Sequence, residues 1–208
     1  MQMELFNDLF QFILETSIKY KIDETHNISH SMNVLHFAHA IYETELQTNL
    51  SIIAHKKIIY IAATLHDMCD KKYMDEAEGL AEINAFLNYT ITHAESAAIA
   101  SIITTMSYSK VKKDGFPDLG IYQRAYHVVR EADLLTAYDF DRCMIYHMKV
   151  NHGNFKDSFY KAEELFENRV FRHGDDNLFR TDYALTHYPS LHNQAIDRIK
   201  TWKKILHI

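Results

Sequence analysis

Glycine and proline are scarce, five and two in 208 residues. Folds made of tight turns and many short strands need both in quantity, so the shortage argues against a β architecture and predicts an all-α one. Cysteine is almost missing as well. Cys69 and Cys143 stand apart, without the spacing of a zinc site or a redox pair, which excludes a disulfide scaffold and suits a reducing cytosol. Long apolar runs are absent: the longest, residues 58–65, falls far short of the roughly 20 residues that span a bilayer. Nor is there a surplus of positive charge. With 22 Lys and Arg against 28 Asp and Glu, the net charge is −6, so neither a nucleic-acid polymer nor an anionic membrane surface is an expected partner. A small anion is not excluded, because one cation in a cleft outweighs a mildly acidic exterior. The first ten residues carry Glu4 and Asp8 and no basic stretch, so they do not read as a secretory leader. These features together predict a soluble, cytoplasmic protein.

What is present is helical periodicity. Leu5, Leu9, Phe12, Ile13 and Thr16 recur at helical spacing and predict a helix over residues 3–20. A second is expected over 30–47, after the cap candidates Asn27 and Ser29, with His30, Val34, Phe37, Ala38 and Ile41 facing inward. Ser51 reads as the cap of a third, ending at His66. Further helices are expected up to about residue 89, after Thr92, and over 121–138, 142–148, 157–171 and 191–206, a total of seven to nine. Residues 108–120, with Lys110, Lys112, Lys113, Asp114-Gly115 and Pro117, read as a loop, its lysines a solvated run in the first instance and a lid able to close on a nucleotide in the second. Pro189 reads as punctuation before the last helix. No repeat or linker interrupts the pattern, so residues 1–208 are expected to form one domain.

Fourteen histidines are too many to be informative by number. Position is more useful. His30 lies early on the inward face of the second helix, and His66-Asp67 end an apolar one. Asp133 falls in phase with Tyr126, Val129 and Ala137, where an ionised carboxylate is costly unless a cation or several donors compensate it. A salt bridge to a basic side chain would serve equally at that point. Two imidazoles and two carboxylates from three segments suit one divalent ion, Mn, Fe, Co, Ni, Zn or Mg, with positions left for water and a substrate oxygen.

The order His30…His66-Asp67…Asp133 resembles the signature of the HD-domain phosphohydrolase superfamily. The local contexts His30-Ser31-Met32-Asn33-Val34, Ala62-Ala63-Thr64-Leu65-His66-Asp67 and Glu131-Ala132-Asp133 are similar to the family's segments. A branch of small stand-alone bacterial members, some of which hydrolyse nucleoside triphosphates, is resembled through His26, the run from His66 to Tyr73, and residues 102–108. The likeness covers about residues 20–137; residues 138–208 are a divergent helical part. It implies His30, His66, Asp67 and Asp133 as ligands of a single metal ion at the centre of a helical bundle. The expected substrate is a small phosphorylated metabolite, a nucleotide or nucleoside triphosphate, attacked at phosphorus by a metal-activated water. Asp70 matches the position of a catalytic carboxylate that handles the water, and Lys72 and His26 are candidates for holding phosphate. His93 has no matching partner for a second metal. Competing expectations are a cyclic-nucleotide phosphodiesterase or a di-iron oxygenase on the same fold, or a helical binding module without turnover.

Overall fold

A computed structural model describes residues 2–150 and 152–208, Gln2 by its backbone alone. Ten α-helices follow one another: α1 (Gln2–Tyr20), α2 (Ile28–Leu46), α3 (Lys56–Leu65), α4 (Glu76–Leu87), α5 (His93–Thr105), α6 (Tyr108–Asp114), α7 (Gln123–Thr136), α8 (Phe140–Val150), α9 (Phe155–Asn168) and α10 (Asp182–Leu206). Short 3-10 turns over Leu50–His55, Gly120–Tyr122 and Val170–Arg172 link some of them, and no strand occurs among the described residues. The all-α expectation holds.

The centre is a trio, α2, α3 and α7, packed on one another. The apolar run that begins at Ile58 forms most of α3, and Ile58 to Leu65 are all buried. A helix apolar on every side belongs inside a protein or a membrane; here α1, α2, α5 and α7 enclose it. No helix of the described residues is long and apolar enough to cross a membrane. The C-terminal part is not an appendage. Helix α10 packs back on α2 and α7, and a continuous core runs from Leu9 to Ile199.

Three expectations need correction. Ser51 caps nothing: Asn49 accepts from the Ser51 amide and hydroxyl, starting a 3-10 turn, and α3 begins only at Lys56. Residues 108–120 are not all loop. Ser107 caps α6 by accepting from the Lys110 amide, and Gly115, at φ +77°, ends it. This helix raises the count beyond nine. Two of its three lysines are engaged: Lys110 pairs with Glu76 at 2.8 Å and Lys112 with Asp176 at 2.8 Å, so the segment is a docked helix rather than a basic lid. Pro189 lies inside α10 instead of before it. The missing amide frees the Leu185 carbonyl, which is tolerable where Leu185 is exposed to water. Thr92, by contrast, caps α5 as expected, in a reciprocal capping box with Glu95.

Candidate metal centre

Three elements deliver four donors to one point. His30 occupies the first turn of α2, set by the Asn27 side chain that accepts from the Ser29 amide. His66 is the C-terminal cap of α3, and Asp67 follows in a turn closed by the Met68 amide on the Leu65 carbonyl at 2.9 Å. Asp133 comes from the last turn of α7, which crosses both other helices. His30 Nε2 lies 3.1 Å from His66 Nε2, 3.3 Å from Asp67 Oδ2 and 3.4 Å from Asp133 Oδ1. His66 Nε2 lies 3.4 and 3.7 Å from the same two carboxylate oxygens. An ion held at ~2.0–2.3 Å by each donor spaces neighbouring donors by about 2.8–3.8 Å, and these edges fall in that range.

The residues fit such an ion on two further grounds. Asp67 Oδ2 is buried without a hydrogen-bond partner, an arrangement that is costly unless something polar compensates it. His66 Nδ1 donates to the Ala63 carbonyl at 2.9 Å, which fixes the ring and turns the Nε2 lone pair to the centre. The ligand atoms of His30, His66 and Asp133 all lie within 4.8 Å of one another, and Asp67 Oδ2 borders this group on the side of the two imidazoles, at 3.3 and 3.4 Å. Asp133 is less enclosed than its helix phase suggested: its side chain is 30% accessible.

The two histidines are driven in opposite directions. Burial, followed by the nearby Arg142 charge, lowers His30 to about 4 despite Asp133. Burial also opposes charge on His66, but Asp67 beside it outweighs that and raises it to about 9. Burial resists ionisation of Asp67 and Asp133 too; His66 holds Asp67, and the His30 contact holds Asp133, well below the ordinary carboxylate range.

Beside the four donors stands a polar cluster. The His26 ring is 6.1 Å from that of His30. Its Nδ1 meets Thr25 Oγ1 at 2.8 Å and the Tyr73 hydroxyl at 3.0 Å, and Tyr73 donates to the buried Asp23 at 2.6 Å. On the other edge, His26 Nε2 is 3.3 Å from Lys72 Nζ. Lys72 Nζ is in turn 3.6 Å from Asp70 Oδ2, while Asp70 Oδ1 accepts from the Lys72 amide at 2.9 Å. So His26, Lys72 and Asp70 form a chain running outward from the donors; the Asp70 amide donates to the Asp67 carbonyl at 3.2 Å, while no contact of its carboxylate with the four donor side chains occurs among the described residues. His93 is exposed at the start of α5 and belongs to no ligand group. His36 and His39 are exposed; His55 and His127 are half-buried and remote from the donors' contacts.

Sequence reasoning missed Asp23 and Arg142. Asp23 stands three residues before His26, a spacing that signals a pair. Arg142 points a guanidinium N–H at His30 Nδ1 and another contact at the Thr25 carbonyl, 3.2 Å away; nothing in its local sequence marks it.

No protein family and no curated protein matches the chain. Solved structures resemble its fold, among them the following two. One, a Lactobacillus plantarum protein determined as a structural genomics target, superposes with a TM-score of 0.72 over 97% of this chain and 96% of its own, at 21% identity. The other, Bacillus subtilis YpgQ, has a TM-score of 0.51 over 85% of this chain and 95% of its own, at 19% identity. At such identities the likeness speaks for the fold alone. It extends through the C-terminal helices as well as the segment that carries the four donors.

Proposed function

We propose that this chain is a metal-dependent phosphohydrolase of the HD-domain type, acting on a small phosphorylated metabolite of the nucleotide class. The observation that carries the reading is the convergence of three separate elements on two imidazole Nε2 atoms 3.1 Å apart, each 3.3–3.7 Å from a carboxylate oxygen of Asp67 and of Asp133. A divalent ion bound there supplies a Lewis acid that acidifies water and polarises a phosphoryl oxygen. The chain's own residues do the rest. Asp70, with one oxygen held by the Lys72 amide and the other 3.6 Å from Lys72 Nζ, is the carboxylate that orients a water or takes its proton. Lys72 and His26 offer N–H donors to phosphate oxygens, and the Asp23–Tyr73 pair fixes the His26 ring in place. Asp23 suits that task because its contacts with His26, Thr25 and Tyr73 overcome burial and keep it ionised.

The test is a phosphate- and pyrophosphate-release screen over nucleotides with Mn, Co, Ni, Zn and Mg, run beside two variants. Asp67→Ala should lose the metal, measured by elemental analysis, and with it all turnover. Asp70→Ala should keep the metal and its melting temperature but lose turnover by ~10²–10⁴-fold, the usual worth of a positioned acid–base group. Wild-type protein that carries no divalent ion would end the reading. Full activity in Asp70→Ala would move the water-handling role to another group, His26 first.

A further inference from the structure

Seven arginines occur in the chain. Arg124, Arg130 and Arg198 are paired with Glu45, Glu131 and Asp141. Arg172 and Arg180 are exposed, where water solvates the charge. Arg142 and Arg169 are neither paired nor exposed. Both are half-buried, and among the described residues no carboxylate forms an ion pair with either guanidinium. A guanidinium withdrawn from water costs free energy unless an anion compensates it.

Their position makes the missing anion specific. Arg142, in the first turn of α8, contacts the candidate ligand His30. It also lines a cavity of about 420 Å³ with His30, Asn33 and Gln194. Neither carboxylate of that cavity forms an ion pair with the Arg142 guanidinium. Asp139 accepts from the Arg142 backbone amide at 3.0 Å, and Asp141 is taken by Arg198 and by Trp202 at 2.7 Å. Arg169 ends α9, its guanidinium carbon 4.5 Å above the Tyr108 ring, within electrostatic range of both Asp133 and Arg142. Against the other side of Tyr108's surroundings lies His173, ring centroids 5.6 Å apart. It has no accessible surface, and both of its ring nitrogens lack a partner. Two unpaired cations and an unsatisfied imidazole thus collect on the α8–α9 side of the four donors, in a chain of net charge −6.

We propose that Arg142 and Arg169 bind the non-reacting phosphates of the substrate, so that α8 and α9 select a di- or triphosphate chain over a monophosphate. This rests on the phosphohydrolase reading and adds the substrate class to it. The planar guanidinium fork suits phosphate oxygens, and two forks beside one metal centre suit a chain of phosphates better than a single one. The C-terminal helices, on this account, supply specificity to a centre built by α2, α3 and α7.

The test uses inorganic tripolyphosphate as probe, titrated calorimetrically into the full-length protein with and without divalent ion. Arg142→Gln and Arg169→Gln should each weaken binding by ~10-fold or more, the loss expected for a charge-assisted bidentate contact. Arg142→Lys and Arg169→Lys should lose less, and they keep the question answerable if a glutamine variant fails to fold. The exposed control Arg180→Gln should bind as wild type does, and orthophosphate should bind wild type more weakly than tripolyphosphate. Unchanged affinity in the folded Arg142 and Arg169 variants, an equal loss in Arg180→Gln, or no binding by wild type would each overturn the clamp. Metal content, measured on every sample, separates the two ideas. Failure to load an ion ends the phosphohydrolase reading, whereas arginine-dependent tripolyphosphate binding without ion still supports the clamp.

Discussion

His173 illustrates what enclosure does to an imidazole. With no accessible surface and no partner on either nitrogen, it is lowered to about 3, by burial first and by the Arg169 charge second. In the unfolded chain it takes up a proton near pH 6.5; in the folded one it resists protonation down to about pH 3. Between these values the unfolded state binds the extra proton, so stability falls as the pH falls, by about 1.4 kcal/mol per pH unit. His173→Leu should remove this contribution. Urea denaturation at pH 7, 6 and 5 should show a shallower acid loss in the variant than in wild type, and parallel losses would contradict the assignment. The residue scale is also where the sequence was most uneven as a guide. His30 and Asp133 were legible by their phase with an apolar stripe, His66 and Asp67 by their place at the end of an apolar helix, and the four as a set by their resemblance to a known ordered pattern. Arg142, Arg169 and His173 were not, because their significance is a lack of partners, and partners depend on segments far away in the chain.

At the scale of elements, small positions decide how the donors are held. Gly79 of α4 lies against the turn that follows His66-Asp67. A methyl group there would meet the Cys69 Cβ at 2.7 Å, the Cys69 Cα at 2.8 Å and the Met74 sulfur at 2.8 Å. Backbone cannot move aside as a side-chain tip can. Gly79→Ala should therefore destabilise the fold by ~1–3 kcal/mol, the usual range for overpacking, although alanine is the better helix former by about 1 kcal/mol. Urea unfolding checks the cost, and metal titration should show weaker binding as the turn shifts. A second lock joins α7 to α10. Glu131, fully buried beside Asp133, accepts from the Arg180 amide at 2.9 Å, the Thr181 amide at 2.9 Å and the Thr181 hydroxyl at 2.8 Å. Glu131 thereby anchors the start of α10, while Arg130 beside it relies on the same carboxylate at 3.2 Å. Glu131→Gln should cost about 3–5 kcal/mol, the range for breaking a buried pair and leaving one charge behind. Hydrogen exchange should rise first at the amides of residues 180–184; uniform protection across α10 would refute the anchor. The helices themselves were mostly visible in the sequence pattern. Helix α6 was hidden because lysines and a nearby Asp-Gly resemble a loop, while its stability comes from Ser107 and from pairing with Glu76 and Asp176.

For the whole molecule, the four donors tie α2, α3 and α7 together, so an ion bound there should act as a cross-brace. Ligand that binds only the folded state adds about 2.7 kcal/mol at 100 times its Kd. In a chain of this size that is about 5–10 °C in melting temperature. Adding the best-bound divalent ion should raise the wild-type melting temperature by this amount, and a chelator should reverse it. Asp67→Ala should respond to neither. A wild-type melting curve indifferent to both treatments would count against a structural linkage between metal and fold.

Periodicity and the dearth of glycine and proline were enough to establish a helical protein, because both are local properties of the chain. The four-donor pattern was readable as an ordered motif in the sequence, to which the inward phase of His30 and Asp133 on their own helices added support. Which helices would touch, and how closely, was settled only by packing. The 3.1–3.7 Å spacing of the donors comes from α7 crossing α2 and α3. The two unpaired arginines on the α8–α9 side likewise emerge only in three dimensions. A missing carboxylate is a property of everything that surrounds a side chain, and no segment of sequence contains its own surroundings.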